Sequence, residues 1–74
     1  MSSYLPALTP KKVIQVLERI GFTFYRQKGS HCIYVYEDKQ VVVPYHNKDL
    51  KKGTLLNIIK GTGLTVEEFK EYLS

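Results

Sequence analysis

Cysteine is almost missing from this chain. Cys32 is the only one, so no internal disulfide can form and a zinc site of the usual ligand number cannot be assembled from thiolates. Such sparing use fits a reducing compartment, and the cytosol is the expected location. Long apolar runs are lacking too: no stretch approaches the roughly 18 apolar residues needed to span a bilayer. The opening MSSYLPALTPKK has no basic segment followed by an apolar core, so neither membrane attachment nor export is expected. Repeats, low-complexity tracts and linker-like segments are also absent, and residues 1–74 read as one domain.

A chain this short buries only about 60% of the surface its unfolded form exposes, which leaves little room for a deep cavity. A substrate that lies across the surface, such as a polymer or a partner protein, suits it better than an enclosed small molecule. Acidic residues are few, seven against eleven Lys and Arg, for a net charge of +4. Residues 1–61 carry ten basic and four acidic side chains, whereas residues 62–74 set Lys70 against Glu67, Glu68 and Glu71. The body is thus cationic and suited to a polyanion such as nucleic acid, although a merely solvated lysine-rich face has the same composition.

What is present divides into short elements. Thr9-Pro10 has the N-cap and first-turn chemistry of a helix start, Val13, Ile14, Leu17 and Ile20 recur at helical spacing, and Gly21 is a stop. Residues 22–27, 30–36 and 40–43 read as three strands, separated by turns at Lys28-Gly29 and Glu37-Asp38-Lys39 and ended by Pro44. Residues 45–52 form a basic loop with His46, Lys48, Lys51 and Lys52. A helix over 53–60 ends at Gly61-Thr62-Gly63, and Thr65 with Glu68 makes a capping box for a last short helix. The order α-β-β-β-α plus a terminal α predicts an α+β fold, an antiparallel sheet with helices on one face. The other face is expected to show Tyr25, Tyr34, Tyr36 and Tyr45 beside Arg26, Lys28 and Lys39, the ring and cation mixture that RNA meets. Tyrosines at the edge of a core, phenols outward, are the plainer reading.

His31 carries the main question. Alternation puts His31, Ile33 and Val35 on one side of the second strand and Cys32, Tyr34 and Tyr36 on the other, with the first set as the expected core row. On that view His31 is a packing residue. Its neighbours argue otherwise: Gly29 permits close backbone approach, Ser30 offers a hydroxyl and an N–H, and Arg26 and Lys28 bring phosphate-binding charge. Histidine titrates ordinarily near pH 6.5, which suits proton transfer at neutrality. On RNA it could take the proton of a ribose 2′-OH or give one to the departing 5′ oxygen, and DNA would resist. Ser30 and His31 point to opposite faces, which disfavours a nucleophile pair, and His31 with His46 makes a poor metal site.

Five segments in order, LERIGF (17–22), RQKGSH (26–31), VPYH (43–46), LKKGTLLNIIK (50–60) and GLTVEEF (63–69), resemble the HicA family of toxins from bacterial and archaeal toxin-antitoxin systems. The resemblance implies a double-stranded-RNA-binding-domain-like fold. It further implies a metal-independent endoribonuclease, without cofactor, that cuts mRNA and arrests growth until an acidic HicB antitoxin covers its active site. The family's catalytic histidine, in a Gly-Ser-His motif, falls on His31. Arg26, Lys28, Gly29, Ser30, Lys51 and Lys52 then become expected RNA-binding positions, whereas His46 matches a common family histidine with no catalytic role carried over. A non-catalytic RNA-binding module of the same fold is the alternative. Two positions depart from the family pattern: Leu56 stands where a polar or basic residue is expected, and Gly61-Thr62 should fray its helix end by roughly 1 kcal/mol.

Overall fold

The computed structural model describes residues 4–73. Its elements are α1 (Pro10–Ile20), β1 (Thr23–Lys28), β2 (His31–Tyr36), β3 (Lys39–Pro44), α2 (Lys52–Thr62) and α3 (Val66–Glu71). The strands form an antiparallel sheet in the order β1-β2-β3, and α1 and α2 pack on one face of it. This is the double-stranded-RNA-binding-domain-like α-β-β-β-α arrangement with one extra C-terminal helix. Among the described residues, no helix is long and apolar enough to cross a membrane.

The helix starts are built as their sequences dictate. The Thr9 hydroxyl accepts the Lys12 N–H at 3.2 Å, and Thr65 and Glu68 satisfy each other's backbone N–H groups at 3.1 and 2.9 Å. Both hairpins turn in two residues, Gly29-Ser30 and Glu37-Asp38. In each, φ is positive at the first loop residue only, +60° at Gly29 and +56° at Glu37, as in the type II′ turns that match strand twist.

The core lies between the helices and the Cys32, Tyr34, Val41 and Val43 side of the sheet, where Val13, Val16, Leu17, Leu55, Ile58, Ile59 and Phe69 are buried. The expected core row on β2 is therefore inverted. Cys32 and Tyr34 face the helices, while His31, Ile33 and Val35 belong to the open face. Of the tyrosines expected on the open face, Tyr34 is only 6% exposed and lies in the core. Tyr36 sits on the helix side, its ring against Gly21 and 5.5 Å from that of Phe22, and Lys39 is packed along Gly63.

Burial, reinforced by the nearby Glu18 carboxylate, raises the Tyr34 phenol above its ordinary 10.0. The folded state therefore holds this proton more tightly than the unfolded chain does. The corresponding stability is complete below pH 10 and is lost as pH rises through the folded value. Urea midpoints at pH 9 and pH 11 should show this alkaline loss in the wild type and a smaller loss in Tyr34→Phe.

The Gly61-Thr62-Gly63 end of α2 is firmly made and not frayed. A Cβ on Gly61 would lie 2.8 Å from Cγ1 of the buried Val41, so glycine is what lets α2 approach β3. The Thr62 hydroxyl donates to the Ile59 carbonyl and accepts from the Leu64 N–H, and Gly63 turns the chain in the left-handed conformation. Gly61→Ala gains about 1 kcal/mol of helix propensity but forces overpacking that costs about 1–3 kcal/mol against a stiff β-branched neighbour. A net loss of about 1 kcal/mol, or 4–8 °C in Tm, is expected on thermal denaturation, with partial recovery in Gly61→Ala/Val41→Ala.

Candidate functional site

Paired residues in an antiparallel sheet share a face, so the register defines the surface opposite the helices. It carries three cross-strand rows: Lys28, His31 and Pro44; Arg26, Ile33 and Val42; Thr23, Val35 and Gln40. His31 is exposed at the hairpin end of this surface, with Lys28 directly opposite it on β1 and Arg26 one row along. Directly opposed Cβ atoms stand roughly 5 Å apart and diagonal ones roughly 7–8 Å, close enough for both cations and the imidazole to meet one phosphodiester.

A β-bulge makes this arrangement. The pairing runs Thr23 to Val35 and Phe24 to Tyr34, then skips Tyr25 and resumes with Arg26 opposite Ile33. Without the extra residue, Arg26 would oppose Cys32 on the helix side. The bulge turns Arg26 and Lys28 onto the histidine's face, because a one-residue shift exchanges the faces of a strand. Nothing in the sequence signals it, since Tyr25 is neither glycine nor a turn residue.

The turn itself is anchored on both flanks. The Gln27 side-chain amide donates to the Gly29 carbonyl at 2.9 Å, and the Ser30 carbonyl accepts the Tyr45 N–H at 2.7 Å. Space beside Gly29 is open: a Cβ there would meet nothing within 4 Å. Among the described residues, the His31 ring has no hydrogen-bond partner, and Arg26 and Lys28 have neither an ion pair nor a hydrogen bond. Three donor-bearing side chains therefore share one face without internal satisfaction, which suits an external anion.

Lys51 and Lys52 stand elsewhere. They open α2 in the helical layer, where Lys52 borders a groove formed with Tyr4 to Ala7, Leu50 and Leu55. They nevertheless belong to the same end of the molecule as the hairpin. Leu50 N–H donates to the Leu8 carbonyl at 2.8 Å, and Thr9 and Lys11 meet Tyr45, His46 and Asn47 around a second groove. That end thus gathers Lys11, Lys28, Lys48, Lys51 and Lys52 with the N-termini of α1 and α2, whose backbone dipoles add positive potential. Glu37 and Asp38 cap the opposite end of β2.

His46 is held within its loop, its Nδ1 accepting the Lys48 N–H at 3.1 Å. Among the described residues, no three His, Cys, Asp or Glu side chains come together as metal ligands would. Leu56 is exposed on α2. Lys11 and the Tyr45 to Asn47 segment were not singled out from the sequence as one site. The Thr9-Pro10 helix start and the basic loop were both legible, but not their meeting.

Comparison with curated proteins brings no match. A family model described as the HicA toxin of bacterial toxin-antitoxin matches residues 10–64, from the start of α1 to just past the end of α2. That span takes in the whole sheet, its bulge, and the hairpin that carries His31. With three quarters of its length in that match and the fold described above, the chain belongs to the HicA toxin family of bacterial toxin-antitoxin systems, and its partner is an antitoxin.

Proposed function

We propose that this toxin is an endoribonuclease that cuts mRNA on the open face of its sheet, with His31 as the proton-transfer group. The observation that carries the reading is the shared face of His31, Arg26 and Lys28, each without an internal partner among the described residues. In the proposed reaction the ribose 2′-oxygen attacks the adjacent phosphorus, the P–O5′ bond breaks, and the products are a 2′,3′-cyclic phosphate and a 5′-hydroxyl. His31 either accepts the 2′-OH proton or donates one to the departing 5′ oxygen. Arg26 and Lys28 hold the phosphate and offset the charge that builds on its oxygens. The open space at Gly29-Ser30 lets the strand pass close to the backbone, and Lys51 and Lys52 would extend the phosphate track around the basic end. A HicB-like acidic antitoxin would block RNA by occupying this cationic face.

The test is direct. Purified protein should cut RNA in EDTA, leave DNA intact, and yield 2′,3′-cyclic phosphate ends; products bearing only 3′-hydroxyls would exclude the route. A second reading, a non-catalytic RNA-binding module, draws on the His31 ring having no orienting partner among the described residues. It expects salt-dependent RNA binding with no cleavage at any pH.

A further inference from the structure

We propose that the groove lined by Thr9, Lys11, Tyr45, His46 and Asn47 is a nucleobase subsite, taking the base next to the bond cleaved at His31. The proposal rests on the reading of the His31 face as an RNA-cleaving site. It is carried by position and by chemistry.

Tyr45 follows Pro44, the cross-strand partner of His31, and its N–H is bonded to the Ser30 carbonyl. The groove therefore begins within one residue of the His31 row, around the end of β3, where a strand leaving the open face would run next. Its volume of about 340 Å³ lies at the small end of ligand sites, suited to one base and too small for a longer segment.

The lining matches a base in kind. Tyr45 is 47% exposed and supplies a ring on which a base can stack. The polar groups are mostly donors. With Nδ1 of His46 taken by the Lys48 N–H, the neutral ring can offer a ligand only its Nε2–H. Oγ1 of Thr9 already accepts from Lys12, which leaves its hydroxyl proton to give and one lone pair to accept, and Lys11 has donors alone. The Asn47 amide and the Tyr45 phenol can both give and accept. No acidic side chain lines the groove. A donor-rich wall complements a base edge rich in acceptors, so guanine, through O6 and N7, and uracil, through its carbonyl oxygens, should be preferred to adenine, which sets an amine donor beside N7 on the same edge.

Two measurements test this. In cleavage of RNA oligonucleotides that vary one flanking base at a time, the wild type should favour guanine or uracil at one flanking position by about tenfold. Tyr45→Ala should flatten that preference and raise KM roughly tenfold or more, while Tyr45→Phe keeps both. An unchanged base profile in Tyr45→Ala would overturn the proposal. Separately, NMR titration of His31→Ala with GMP, UMP and AMP should shift the amides of Lys11, Tyr45, His46 and Asn47, with AMP weakest. Failure of all three nucleotides to move these amides would equally overturn it. Because the titration needs no cleavage, an inactive wild type would remove the endoribonuclease reading and leave the groove to be judged by the titration.

Discussion

His31→Ala should abolish RNA cleavage by a factor of 10² to 10⁴, the usual contribution of a positioned acid or base, while the protein stays folded and still binds RNA. The separation is expected because the side chain is exposed, lies on the face away from the core, and has no hydrogen-bond partner among the described residues. Surface substitutions of that sort change stability by no more than about 0.5 kcal/mol. Thermal denaturation of the variant should therefore overlay the wild type, and filter binding should give a similar affinity. A cell that cannot survive expression of the wild type without antitoxin should grow normally with the variant. Cleavage at the wild-type rate would remove His31 from the chemistry, and a large fall in Tm would return it to the packing role.

The second large effect concerns charge. Arg26→Ala/Lys28→Ala should weaken RNA binding by roughly tenfold per cation at low salt and reduce the slope of log K against log salt by about 1.4, since each contact with a single strand contributes about 0.7. Arg26→Lys should preserve the slope yet lose affinity, because an ammonium cannot bind a phosphate in the two-pronged way a guanidinium can. Lys60→Ala is the control: it removes an exposed charge from α2, in the layer opposite the open face. Equal losses in all these variants would mean that RNA is attracted by net charge and is not seated on the His31 face. The measurement is a set of salt titrations by fluorescence anisotropy with one labelled oligonucleotide.

The sequence revealed the elements better than the faces. Thr9-Pro10 and Thr65 with Glu68 marked helix starts through local chemistry that tertiary packing had no reason to override. Strand alternation fixed which residues of β2 go together but not which set turns inward, since His31, Ile33 and Val35 and Cys32, Tyr34 and Tyr36 are both largely apolar. The choice lay in the second turn. Read as the three residues Glu37 to Lys39, it sets Ile33 and Val35 opposite Val43 and Val41. Made in two residues, as it is, it sets Cys32 and Tyr34 there instead. One residue of turn length exchanged core for surface. Gly61 was misjudged for a related reason: local propensity counts its missing side chain as a weakness, whereas contact with Val41 needs that side chain to be missing. At the site, Gly29-Ser30-His31 and the adjoining cations were legible as a motif. The bulge that brings the cations onto the histidine's side was not, because it is a property of the pairing between two strands.

β1 also has a dynamic consequence. All six of its residues are exposed and it pairs only with β2, so detaching it uncovers little apolar surface. Its opening free energy should fall well below that of global unfolding, and its amides should exchange with deuterium before those of β2 and the helices. Arg26 and Lys28 thus ride on the most easily displaced strand of the sheet, while His31 sits on the central one. The fixed partner in any encounter is the histidine, and the cations can adjust around it to phosphates of differing spacing.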